Sequence, residues 1–215
     1  MMVVRGSVAH DGLGQLSSFY EPHIRSIALR HASTKWICPQ APNCPVTYSN
    51  GRLRPSWFDI HHLPPHTDEL DEIEVSTSIK AIEQLILSEV HIGIDPKQIL
   101  LAGFSQGAAL CLMTALTTLH DIGGVGSLSG WIPHRIREHI IQNDPNIPIF
   151  WAHGRRDTEI PLQYARNSVE FLEQRLCMND ETLRYLDYDN LGHEVSEEVF
   201  RDFSQWLSDI LSKNQ

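Results

Sequence analysis

The chain has 215 residues, 41% of them hydrophobic and 20% charged, enough for an ample core and too apolar for a disordered segment. A formal net charge of −10 argues against broad nucleic-acid binding, which depends on basic patches meeting phosphate. No apolar run reaches the length of about 18 residues that a membrane span needs, and the opening Met1-Met2-Val3-Val4-Arg5-Gly6 lacks the regions of a secretion signal.

In chain order, a strand is predicted at 3–9, followed by a glycine-rich turn, "HDGLGQ", from His10 to Gln15. A helix over 16–30 and a strand over 35–38 come next. Residues 39–67, with Pro39, Pro42, Pro45, Pro55, Pro64 and Pro65, are expected to form a long irregular segment. It holds Trp57 and Phe58, which either plug the core edge or wall a substrate groove. Further strands are predicted at 98–103, 124–128, 147–152 and 182–187, and further helices at 70–91, 106–120, 162–176 and 194–211. The last helix carries Val195, Val199, Phe203, Trp206 and Ile210, close to an i, i+4 stripe. Strands alternating with helices imply a mostly parallel central sheet with helices on both faces, an α/β fold. No repeat or linker divides the chain, so one domain is expected. Cys38, Cys44, Cys111 and Cys177 form no CxxC pair and read as reduced thiols of a cytoplasmic protein.

"GFSQG", Gly103 to Gly107, sits where a predicted strand gives way to a helix. Gly-x-Ser-x-Gly in that context is a nucleophile elbow: a tight turn tolerates little bulk beside the serine, and the helix start offers N–H groups to a developing oxyanion. Ser105 needs a base, and the base needs an orienting acid. In α/β-hydrolases the chain order is serine, acid, histidine. "HGRRDTEIP" places Asp157 beyond the predicted strand 147–152, and "NLGHE" places His193 before the last helix. His153 is the main rival base, and Asp187 and Asp189 are weaker rival acids. The backbone N–H of Gln106, directly after the serine, is one oxyanion donor, and the His10–Gln15 turn is the place for a second. No cofactor is called for. His61, His62 and His66 form a histidine-rich stretch, but no carboxylate or cysteine spacing there supports a metal site.

With these residues the chain resembles the acyl-protein thioesterase family, small cytosolic α/β-hydrolases also described as carboxylesterases and lysophospholipases. The likeness includes "ICPQAP" from Ile37, "PSWFDI" from Pro55, "GFSQGAAL" from Gly103, "LSGWIP" from Leu128, His153-Gly154 with Asp157, and Gly192-His193. It implies a serine hydrolase of thioesters or carboxylic esters, S-acylated proteins among them, with Ser105 as nucleophile, His193 as base and Asp157 as acid. It implies Gln106 and Leu13 as the backbone donors of the oxyanion hole, and a monomer or weak homodimer. Trp57, Trp131 and Ile160 are candidate groove residues.

Three departures stand out. The family reads His-Gly-Leu-Gly-Asp after the first strand, whereas this chain has His10-Asp11-Gly12-Leu13-Gly14-Gln15. Beyond Asp157 it carries Thr158-Glu159 before Ile160 and Pro161, where the family has Pro and apolar residues. His61-His62 follow "PSWFDI" where the family has an apolar residue. The last two would set polar groups along an acyl chain, predicting weak preference for long acyl groups. Two alternatives stay open: a short-chain carboxylesterase without a protein substrate, and an acyl-binding protein whose oxyanion hole is impaired near Asp11.

Overall fold

The computed structural model describes residues 7–10, 27–29, 34–66, 69–140 and 147–213. Leu13 and its glycine-rich turn lie outside these residues. So does most of the helix expected over 16–30, of which 27–29 are described as helical.

Strands β1 (Ser7–His10), β2 (Trp36–Ile37), β5 (Leu100–Phe104), β6 (Gly124–Leu128), β7 (Ile149–Gly154) and β8 (Leu183–Tyr188) form one sheet. Its order is β2-β1-β5-β6-β7-β8, and every neighbouring pair is parallel. β5, β6 and β7 are buried along their whole length, which is why "LLAGF" and "IFWAHG" read as unbroken runs rather than alternating ones. One register row crosses Phe104, Leu128, Ala152 and Leu186. The carboxyl ends of four strands therefore lie level, and the segments that follow them emerge along one edge.

Helices α1 (Glu72–His91), α2 (Gln106–Thr117), α3 (Leu162–Leu176) and α4 (Glu197–Lys213) connect and cover these strands. α1 begins two residues after the expected start because the Asp71 side chain accepts from the N–H groups of Ile73 and Glu74, both at 3.0 Å. α4 starts at Glu197, not 194, so Val195 of the predicted stripe precedes it. Val199, Phe203, Trp206 and Ile210 of that stripe are buried, with Leu207 beside them, and Phe203 and Trp206 pack on Phe150 of β7. β5 starts later than expected because Pro96–Gln98 form a 3-10 turn, with the Asp95 carboxylate accepting from Lys97 N–H at 2.9 Å.

The segment 39–67 is not irregular throughout. Strands β3 (Asn43–Val46) and β4 (Arg52–Pro55) form an antiparallel hairpin closed by a 3-10 turn, Thr47–Ser49, and by Asn50 and Gly51. Asn50 and Gly51 both take left-handed backbone, φ 56° and 71°, which asparagine and glycine adopt readily. Asn-Gly is a hairpin signal, but Pro45 and Pro55 obscured it. A two-stranded ribbon tolerates them because neither of its strands has a neighbour on both sides.

Candidate active site

Ser105 occupies the junction of β5 and α2 with φ 53° and ψ −122°, a strained conformation for a residue with a side chain. The elbow is tight enough that a Cβ on Gly103 would stand 2.5 Å from the backbone carbon of Gly107, so both glycines of the motif answer to one close approach. Gln106 heads α2, where the first N–H groups have no acceptor within the helix. Its side chain, by contrast, is fully engaged. Oε1 accepts from Trp57 N–H at 2.9 Å, and Nε2 donates to Phe58 O at 2.7 Å and Ser56 Oγ at 3.1 Å.

Asp157 follows β7 and His193 follows β8. His193 Nε2 lies 2.8 Å from Ser105 Oγ, and His193 Nδ1 lies 2.7 Å from Asp157 Oδ2. The carboxylate can only accept, so Nδ1 carries the proton and Nε2 presents its lone pair to the serine hydroxyl. The other Asp157 oxygen accepts from the N–H groups of Glu159 at 3.0 Å and Ile160 at 2.8 Å, which locks the carboxylate. Asp157 and Ser105 are buried, while the His193 ring keeps a small exposed edge. The Phe104 ring packs against it, centroid to centroid 4.7 Å. A Cβ on Gly154 would collide with the carbonyl oxygens of Leu191 and Gly192, so a glycine there lets the His193 segment cross closely over the end of β7.

The rivals have other roles. His153 is fully buried and its Nε2 donates to Ile160 O at 2.7 Å, 3.5 Å from Asp157 Oδ2. Burial pushes its pKa down, against the opposing pull of that carbonyl and of Asp157, and keeps the ring neutral. Asp187 and Asp189 both pair with Arg155, Asp187 at 2.7 Å.

Ser105 and His193 open into a cleft of about 410 Å³ lined by Ile60, Leu63, Phe104 and Ile160, and also by Tyr48, Ser49, Arg54 and Glu159. Of the three expected groove residues, Ile160 is on this lining. Trp57 and Trp131 are not among the described lining residues. Trp57 is buried, and Trp131 packs edge-on to Phe58 and borders a separate cavity of about 80 Å³. Glu159 enters the cleft with its carboxylate 3.7 Å from His193 Nε2. His61 and His62 do not line it: His61 faces Asp59 at 3.2 Å, and His62 faces Glu69 at 2.9 Å. Beyond Ser105 and His193, the charged side chains along the cleft are thus Arg54 and Glu159, not the two histidines. Arg54, Tyr48 and Ser49 were not foreseen, because they come from the hairpin hidden among prolines.

A parallel sheet with a serine elbow, and an acid and a histidine beyond later strands, defines an α/β-hydrolase of the serine hydrolase kind. Residues 12–211 match the phospholipase/carboxylesterase family, and the chain belongs to it. It is 33% identical over 213 residues to acyl-protein thioesterase 1 of Cryptococcus neoformans, covering 93% of this chain and 90% of that protein. It is 34% identical over 209 residues to a probable carboxylesterase of Oryza sativa, covering 95% and 77%. The crystal structure of Arabidopsis thaliana SOBER1 superposes with a TM-score of 0.86 at 29% identity, covering 95% of this chain and 98% of that one.

Proposed function

We propose that the chain hydrolyses acyl thioesters and carboxylic esters through an acyl-enzyme on Ser105. His193 Nε2 takes the hydroxyl proton as Oγ attacks the acyl carbonyl. Asp157 holds the imidazole in the working tautomer and stabilises the imidazolium. The Gln106 N–H donates to the oxyanion, with Leu13 as the second donor that the family resemblance implies. The imidazolium then protonates the departing thiolate or alkoxide. Water, deprotonated by the same nitrogen, attacks the acyl-enzyme and releases the acid, returning the proton to Ser105. The observation that carries this reading is the pair of contacts at 2.8 and 2.7 Å joining Ser105, His193 and Asp157.

Arg54 and Glu159 on the lining support a preference for short acyl groups, because each apolar CH₂ set against a polar surface forfeits about 0.8 kcal/mol of burial. The relatives named acyl-protein thioesterases support S-acylated proteins as substrates. In the same reading the protein works in the cytoplasm as a monomer or weak homodimer. Among the described residues no helix is long and apolar enough to cross a membrane. A series of butyryl, octanoyl and palmitoyl thioesters and esters tests both claims. Butyryl and octanoyl substrates should turn over faster than palmitoyl. Much faster palmitoyl turnover would overturn the chain-length reading, and no turnover of any substrate would overturn the hydrolase reading.

A further inference from the structure

The histidine-rich segment beyond "PSWFDI" shows no metal-binding spacing in the sequence, yet folding adds the missing carboxylate. His62, His66 and Glu69 each offer a ligand atom, and these atoms lie within 4.8 Å of one another. The rings of His62 and His66 stack with centroids 3.9 Å apart and planes 3° from parallel. Glu69 is fixed from behind. One of its carboxylate oxygens accepts from the backbone N–H groups of His61 and His62, and the other from His66 N–H at 3.3 Å while contacting His62 Nδ1 at 2.9 Å. Backbone donors that orient a carboxylate in this way are the outer partners a ligating carboxylate needs. The Glu69 side chain is 9% exposed and that of His62 55%, so a half-buried residue's carboxylate sits beside an imidazole that solvent can reach. The Tyr164 hydroxyl donates to Pro65 O at 2.7 Å and ties the segment to α3.

We propose that His62, His66 and Glu69 bind a divalent transition-metal ion of the zinc, nickel or copper kind. Two imidazole nitrogens and a carboxylate oxygen suit these ions, whereas magnesium and calcium prefer oxygen ligands alone. Bonds of about 2.1 Å in a tetrahedral site place ligand atoms about 3.4 Å apart. Atoms now within 4.8 Å of one another therefore draw together, and one of the stacked rings turns so that both nitrogen lone pairs meet the ion. Water completes the coordination on the exposed side. The ion takes no part in acyl transfer. It clasps the segment whose Leu63 stands on the cleft wall, and so stiffens that wall from outside.

The full chain, freed of metal with EDTA, is titrated with zinc chloride by calorimetry, and its thermal unfolding is followed with and without the ion. One zinc per chain and a rise in Tm are expected. His66→Ala and Glu69→Gln, each checked for a native circular dichroism spectrum, should weaken binding at least about tenfold. His61→Ala, which removes no ligand, should bind as the parent does. Absence of zinc binding, binding undiminished in both His66→Ala and Glu69→Gln, or magnesium bound as tightly as zinc would each overturn the proposal.

Discussion

At Asp157 one carboxylate serves three donors, two backbone N–H groups on one oxygen and the His193 ring on the other. The backbone pair makes the segment wrap around the acid, so the acid is part of the turn it serves. Asp157→Asn keeps the size but offers an NH₂ group to the ring and favours the wrong tautomer. We expect kcat to fall about ten-thousandfold with stability little changed, measured by ester hydrolysis and urea unfolding side by side. His153 makes a different prediction. Its pKa is depressed by burial, so the unfolded chain binds this proton more readily than the folded one. Its contribution to stability is complete above the unfolded value of about 6.5 and is lost as pH falls from there through the folded pKa. The slope is up to about 1.4 kcal/mol per pH unit, in a range above that where carboxylates titrate. His153→Gln, which keeps a donor near the same position, should flatten unfolding free energy between pH 7 and 5.5. An unchanged slope would show that another group is responsible.

At the scale of elements, α2 and the "PSWF" segment are joined through the Gln106 amide. The Ser-Gln pair was legible as a motif, but the sequence alone assigned Gln106 only its backbone N–H. That its side chain bonds Trp57 N–H and Phe58 O depends on the fold bringing residues about fifty positions apart together. Gln106→Ala would remove this acceptor from Trp57 N–H and one of two donors from Phe58 O, which keeps Ser56 Oγ at 2.6 Å, while leaving the N–H at the head of α2. We expect a loss of about 1–3 kcal/mol in urea unfolding with serine reactivity retained in the folded fraction. Trp57 shows the same limit. Its aromatic bulk beside prolines signalled a functional wall or a core plug, and only packing chose the core. The helices were legible because their apolar stripes repeat at helical spacing; the Asp71 side chain set the start of α1, and the turn capped by Asp95 delayed the start of β5. The hairpin was harder, since Pro45 and Pro55 argue against strands in any larger sheet.

For the molecule as a whole, the parallel sheet explains why three groups spread from residue 105 to residue 193 converge. Strands that all run one way deliver their carboxyl ends to one edge, and ligands gather there. Strand–helix alternation makes that architecture legible in the sequence, while the expected order serine, acid, histidine comes from the α/β-hydrolase pattern. Of the cleft lining, Glu159 was legible two positions beyond Asp157, whereas Arg54 was not, because it reaches the cleft from the hairpin. The central claim is that this convergence makes one serine nucleophilic. Labelling with a fluorophosphonate, followed by mass mapping of the modified peptide, tests it directly. The account predicts one label per chain, on Ser105, abolished in Ser105→Ala and slowed at least a thousandfold in His193→Ala. A label on another residue, or unchanged labelling after loss of His193, would contradict it.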